Sequence, residues 1–326
     1  MTSAAFLAEF LSEARWHPLS AITPEVSTSP LGVTARGRAV PTDLYTRASF
    51  IRPAGLVLVH GLSPRGKDDP RLRAAASLLA RAGWAVAVPT VQGLTVLRLR
   101  PDDALAVAET ARTLGQAGYG PAAILAVSVG AGPALLAAAD PSTSSSLSAV
   151  LALGGYASTV ELLRYTLTGT YRLDGLNGRQ PVNETAIKEF VGANAELVDA
   201  VGRRLVANRD PEAVDALVAA LPVQTRRLLT ELSPATYLDR IRAPLFLIHG
   251  RDDPAVPFTE TLRLDAAARA AHRPVTTTIV GSLGHVEPEH RAGPRDLARL
   301  WATLYAFEVT SRAVSRPALT SAVRAP

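Results

Sequence analysis

Cysteine is absent from the 326 residues, which excludes a disulfide framework, thiolate-bound zinc and a cysteine nucleophile. Lysine is nearly absent too: apart from Lys67 and Lys188, the 34 basic residues are all arginine. The formal charge is +5. Those arginines are scattered and interrupted by Asp and Glu, not gathered on a stripe with aromatics between them. The basic balance therefore reads as a compositional bias and not as a nucleic-acid surface. No apolar run approaches the roughly 20 residues a membrane span needs. The first 16 residues carry Glu9 and Glu13 and lack the basic start and apolar run of a signal peptide; Phe6, Leu7, Phe10 and Leu11 recur instead at helical spacing. A soluble, cytoplasmic protein is the expectation. One close His–carboxylate grouping exists, at 285–290, and it lies on a Pro-broken stretch unsuited to a metal. Gly130-Ala131-Gly132 lacks the rest of a dinucleotide fingerprint. No cofactor is expected.

Hydrophobic residues make up 48 % of the chain, enough for a large core. They fall in short runs at Gly55–Val59, Ala85–Val88, Ala122–Val127, Ala149–Leu153, Pro244–Ile248 and Thr276–Val280. Consecutive hydrophobics without alternation predict parallel strands covered on both faces. Helical stretches alternate with them at Pro70–Ala82, Asp102–Leu114 and Gly132–Ala139. The pattern predicts a doubly wound, mostly parallel α/β sheet, with one or two antiparallel strands leading it within Gly32–Thr46. The alternation stops after Tyr156 and resumes at Pro244. The stretch between is helical in character, with candidates at Asn183–Asn194, Ala195–Ala207 and Pro211–Ala220. The expected organisation is a core of residues 1–155 and 237–310, a helical cap at 156–236 and a poorly ordered tail at 311–326.

Ser128 sits at the end of a predicted strand and leaves it through Val129-Gly130-Ala131-Gly132. A nucleophile on such a sharp turn needs small residues two positions before and after it, which Ala126 and Gly130 supply. Pro133 is compatible with a helix starting near Val129, because first-turn N–H groups have no intrahelical partner. An ordinary strand-end serine would look the same on these residues alone. His60-Gly61 follows an earlier strand, and His60 more naturally supports a loop than performs chemistry. Residues 233–257 then read as a helix, a Pro-started strand and His249-Gly250-Arg251-Asp252-Asp253-Pro254-Ala255-Val256-Pro257.

That last segment resembles α/β-hydrolases of the prolyl oligopeptidase and dienelactone hydrolase type, which carry His-Gly-x-x-Asp-x-x-Val-Pro. The resemblance covers roughly residues 50–155 and 233–306. It implies the α/β-hydrolase fold, and it implies Asp253 as the triad acid, with Asp252 its adjacent rival. His285, in Gly281-Ser282-Leu283-Gly284-His285, lies where the family places its base; His290 is the alternative. The order Ser128, Asp253, His285 is the order the fold demands. The backbone N–H groups of Leu62 and Val129 would form the oxyanion hole. Relatives mostly carry Gly where this chain has Ala126. The serine nucleophile departs from the cysteine of dienelactone hydrolases proper and from the aspartate of dehalogenases.

The function so implied is hydrolysis of a carboxylic ester, thioester or amide of a small acyl substrate. An acyltransferase with the same triad and a non-catalytic binding protein are the alternatives. Tyr156, Leu162, Leu163 and Tyr165 follow the predicted strand Ala149–Leu153 and are expected to line the pocket. Arg164 and Arg172 are candidates for meeting an anionic group, weighed against plain surface charge. Oligomeric state is open.

Overall fold

The computed structural model describes residues 18–48, 53–281, 283–284 and 293–314, together with Phe6, Ala8 and Glu9. A short helix α1 (Pro18–Ile22) precedes β1 (Val26–Pro30), a small hairpin of β2 (Val33–Ala35) and β3 (Arg38–Val40), and β4 (Thr42–Arg47). Alternation then begins: β5 (Ala54–Val59), α2 (Pro70–Arg81), β6 (Trp84–Pro89), α3 (Asp103–Leu114), β7 (Ala122–Val127), α4 (Ala131–Ala139) and β8 (Leu147–Leu153). Between β8 and the next sheet strand lie α5 (Thr159–Thr168), a hairpin of β9 (Thr170–Leu173) and β10 (Leu176–Arg179), α6 (Glu184–Ala193), α7 (Ala200–Ala207), α8 (Val214–Ala219) and α9 (Val223–Glu231). The chain closes with β11 (Leu245–Gly250), α10 (Thr259–Ala270), β12 (Val275–Val280) and α11 (Pro294–Val314).

Eight strands form one sheet in the order β1-β4-β6-β5-β7-β8-β11-β12. From β6 to β12 every pairing is parallel, whereas β4 runs antiparallel to both β6 and β1. The sheet is thus the mostly parallel, doubly wound α/β sheet of an α/β-hydrolase fold. Strands β5, β6 and β11 are buried along their whole length, because helices cover both faces and leave no wet side for polar residues. Val57 and Val59 face α3 and α4; Leu56 and Leu58 face α2 and α11. Local signals set the helix ends. Asp69 caps α2 by accepting the Arg71 N–H, with Pro70 in the first turn, where its missing N–H costs nothing. Gly169, at φ 71°, ends α5.

Three expectations change. The leading strands number four and begin at Val26, and β1 and β4 add an antiparallel edge to the sheet. The stretch after Tyr156 is not purely helical. Its β9–β10 hairpin turns on Asp174-Gly175, both at positive φ, the strongest short-range hairpin signal there is. And α11 runs through Val314, four residues into the expected tail. Ser311 is fully buried with its hydroxyl donating to the Phe307 carbonyl, and Arg312 lies over the Trp84 ring, so packing holds that turn. Among the described residues no helix is long and apolar enough to cross a membrane.

Candidate active site

The chain goes from β5 to β6 on one side, then crosses back to place β7 on the other side of β5. Ligands of open α/β sheets bind at such a switch point, beyond the carboxyl ends of the strands. His60-Gly61 leaves β5 there, and Ser128 leaves β7 there.

Ser128 has φ 56°, in the left-handed region that side chains avoid. The two glycines around it are there for space. A Cβ on Gly130 would lie 2.1 Å from the His60 carbonyl oxygen, and one on Gly61 would lie 3.0 Å from the Ser128 Cβ. The β5 turn and the β7 turn therefore press together, backbone on backbone. Ala126, where relatives carry Gly, is fully buried and sits between Val59 and Ala152 in the sheet register. A methyl fits there. Residues Ser128–Gly130 form a single helical turn before α4, which puts Pro133 in the first turn of that helix.

His60 braces the β5 turn. Its Nε2 accepts the Val91 N–H at 3.0 Å, and its Nδ1 is 2.7 Å from the Gly61 carbonyl oxygen, to which it donates. Both ring nitrogens are spent, the proton sits on Nδ1, and burial holds the imidazole below its ordinary pKa by penalising the charged form. Leu62, next along, is 40 % exposed, while Val129 is buried.

Asp253 is buried and its neighbour Asp252 is exposed. One Asp253 carboxylate oxygen accepts the N–H groups of Ala255 (2.8 Å) and Val256 (2.9 Å). The other oxygen is 3.3 Å from His249 Nε2. His249 is itself locked: Nε2 is 2.9 Å from the Val256 carbonyl and Nδ1 is 2.7 Å from the Thr261 hydroxyl. The Tyr165 hydroxyl donates to the Asp253 carbonyl at 3.1 Å, and burial pushes that phenol's pKa up. This brace of His249, Thr261 and Tyr165 was not foreseen; only the His-Gly pair hinted at it. Gly250 has a spatial reason too. Its missing Cβ would lie 2.2 Å from the Leu283 oxygen and 2.3 Å from the Gly284 oxygen, so the segment ending at Gly284 crosses the turn that carries Asp253. His285 and its alternative His290 lie outside the described residues.

A cavity of about 1250 Å³ opens at Ser128 and is lined mainly by apolar side chains. Leu62, Val129, Leu162, Leu163 and Tyr165 are in its wall. Tyr156 is not. Its ring is fully buried against Gly132 and its hydroxyl donates to the Leu232 carbonyl at 3.0 Å, which corrects the expectation for that residue. Arg164 is likewise turned inward and away from any ligand. It is 0 % exposed, paired with Glu161 and Asp215, and donates to the Pro211 carbonyl. Arg172 is a surface residue paired with Asp215 and Glu212.

Residues 219–307 match the model of the prolyl oligopeptidase family. Among solved structures, the chain is similar to the acylaminoacyl peptidase of Pyrococcus horikoshii (TM-score 0.59, 16 % identity, covering 90 % of this chain and 43 % of that one). It is also similar to a puromycin-hydrolyzing peptidase of Mycobacterium tuberculosis (TM-score 0.55, 18 % identity, 88 % and 39 % covered). A Klebsiella pneumoniae protein assigned as a dienelactone hydrolase matches along nearly its whole length (TM-score 0.50, 12 % identity, 86 % and 98 % covered). The chain spans about two fifths of the two peptidases. No curated protein sequence matches it. The fold is thus shared with α/β-hydrolases at low identity, and residues 219–307 carry the match to the prolyl oligopeptidase family.

Proposed function

We propose that the protein is a serine hydrolase that transfers an acyl group to water through an acyl-enzyme on Ser128. One observation carries the reading: Ser128 is held at φ 56° at the sheet's switch point, against Gly61, and opens on the cavity. In this reading residues 1–155 and 237–310 are the catalytic core and 156–236 the cap. His285 takes the Ser128 hydroxyl proton as Oγ attacks the acyl carbon. Asp253 orients the imidazole and stabilises its charged form. The N–H groups of Leu62 and Val129 receive the developing oxyanion. When the tetrahedral species collapses, His285 returns the proton to the leaving group. Water then attacks the acyl carbon as it gives a proton to His285; collapse of the second tetrahedral species breaks the bond to Ser128 Oγ, releases the acid and returns that proton from His285 to Oγ. Support for His285 comes from Leu283 and Gly284, which lie against Gly250 three residues from Asp253.

A carboxylic ester is the substrate class we favour. An amide or peptide bond is the second reading, and the match to the prolyl oligopeptidase family favours it. Labelling with a fluorophosphonate probe, followed by peptide mapping, tests the nucleophile: the adduct is expected on Ser128. Folded protein with no adduct overturns the reading and leaves a binding protein. Rates on an ester and an amide sharing one acyl group decide between the two bonds, and an added alcohol or amine reveals any acyl transfer.

A further inference from the structure

The cavity is larger than a small acyl group requires; sites for drug-sized ligands run to about 300–1,000 Å³, and this one is about 1250 Å³. It reaches from Ser128 in two directions. One arm lies beneath α5, α6 and α9, walled by Leu162, Phe190 and Leu228. The other runs along the sheet face covered by α2 and α11, walled by Leu58, Leu125, Leu153, Ala75 and Leu304. Leu125 and Leu153 are on β7 and β8, in the middle of the eight-stranded sheet, where apolar side chains are ordinarily covered completely. Their neighbours Leu56 and Ala149 on the same face are, at 0 % exposure each. Leu125 and Leu153 stay only partly buried, as do Ala75 and Leu304 opposite them. Native interiors are close-packed, so room that no described residue fills, bounded by four such side chains, marks a space built to be occupied.

The polar side chains in the wall say what kind of occupant. Ser63 donates to Asp69, and Asp69 accepts the Arg71 N–H. Thr159 donates to the Leu229 carbonyl and Thr166 to the Leu162 carbonyl. Asn194 gives its amide hydrogens to the carbonyls of Leu97 and Phe190. These groups, with Glu9, which accepts the Leu19 and Ser20 N–H groups, are spent on the protein itself; the Thr225 hydroxyl and the Asn183 amide hydrogens, on the side of α6 and α9, are not spent on any described residue. A peptide threaded through the cavity would bring an N–H and a C=O per residue and find few partners for them. A hydrocarbon chain needs none.

We infer that the substrate carries a long unbranched aliphatic chain, which lies in the arm between the sheet and α2/α11 with its carbonyl at Ser128. The inference rests on the serine hydrolase reading for turnover, but the fit of the chain is a property of the cavity alone. Burying each methylene should raise kcat/KM roughly fourfold.

The experiment has two arms. Nitrophenyl butanoate, octanoate and dodecanoate are compared as substrates of the wild-type protein, and butanoate and dodecanoate as ligands of Ser128→Ala by displacement of a fluorescent fatty acid. The expected result is kcat/KM rising about 100-fold or more from butanoate to octanoate, and dodecanoate binding to the variant far more tightly than butanoate. Flat or falling rates together with no dodecanoate binding overturn the inference while leaving the hydrolase standing. No turnover of any ester with tight dodecanoate binding does the reverse. Ala75→Leu and Leu153→Phe narrow the proposed arm and should each shorten the preferred chain. Ala75→Leu, on the helix side, is the gentler change should Leu153→Phe not fold. An unchanged chain-length preference in a folded variant of either kind removes the chain from this arm.

Discussion

The sheet ends that carry Ser128 and Asp253 and the segment between β8 and β11 are held by different means. At the sheet ends, position is set by main chain against main chain. Gly61, Gly130 and Gly250 each have another segment's atoms where a Cβ would stand, and the strands behind them are buried throughout. The inserted segment has one such contact, at Gly169, whose missing Cβ would lie 2.0 Å from the Gln180 carbonyl oxygen, and is otherwise held by side chains. Its own small core is built on Leu167, Ile187, Leu205, Val214 and Leu221. Its helices are capped by Ser158, Asn183 and Asp199, and its entrance is tied down by Glu260, whose carboxylate accepts the N–H groups of Ala157 and Ser158. A main-chain vice leaves no room for sequence change without loss of geometry. A side-chain scaffold can be repacked, so the half of the wall it supplies is where substrate range can drift while the chemistry stays put.

Removing chemistry without touching either scaffold gives the largest effect. Ser128→Ala is expected to lower kcat by about 10⁴–10⁶-fold, as loss of the nucleophile does in comparable triads, with the melting temperature unchanged or raised. Residual ester hydrolysis within tenfold of wild type would place the nucleophile elsewhere. Next comes the buried guanidinium of the inserted segment. Arg164→Ala deletes a fully buried side chain with its ion pairs to Glu161 and Asp215; its cost should be about 2–5 kcal/mol, from the cavity left and the hydrogen bonds lost. Because the damage is confined to side-chain scaffolding, limited proteolysis should cut within residues 160–230 first and leave the sheet protected. Cooperative loss of both regions together would show that they are not separately held.

The difference in scaffolding also explains what could be read from the sequence. Runs such as Leu56–Val59 and Leu245–Ile248 announce themselves because a doubly covered strand must be apolar at every position. The serine turn and the two His-Gly pairs were legible for a related reason: close backbone contact leaves a glycine or a small residue as its trace, whereas Asp253 came from the family resemblance of its segment. The inserted segment leaves fainter traces. Tyr156 follows a strand end, as a pocket residue would, and nothing local reveals that Gly132 makes room for its ring. Arg164 reads as a surface charge, and its carboxylate partner Asp215 is 51 residues away. The Asp174-Gly175 turn does leave a trace, within a stretch expected to be helical in character.

Acid should find the sheet-end vice before it finds the insert. Burial holds His60 below the ordinary value of 6.5, so the unfolded chain takes up this proton at higher pH than the folded one. Its contribution to stability is complete above 6.5 and is lost as pH falls below that value through the folded pKa. Protonating Nε2 also ejects the Val91 N–H it accepts, which loosens the Gly61–Leu62 turn. His60→Gln, which can still accept that N–H, should show a shallower fall of melting temperature with acid. An equal slope would mean His60 does not titrate on unfolding.

The sharpest form of the comparison is one substitution made in both regions. Gly130→Ala places a methyl where the His60 carbonyl oxygen stands 2.1 Å away. That atom is main chain and cannot swing aside, so the change should cost about 1–3 kcal/mol, as overpacking does, and misplace Ser128. Gly192→Ala, in α6, meets nothing within 4 Å. There the added methyl only removes backbone freedom from the unfolded chain and should stabilise the protein by up to about 1 kcal/mol. Thermal denaturation reads both, with ester hydrolysis falling only in the first. Opposite signs follow from main chain against open solvent; if Gly192→Ala destabilised as much as Gly130→Ala, the inserted segment would be packed as tightly as the sheet ends, and its freedom to vary would be lost with it.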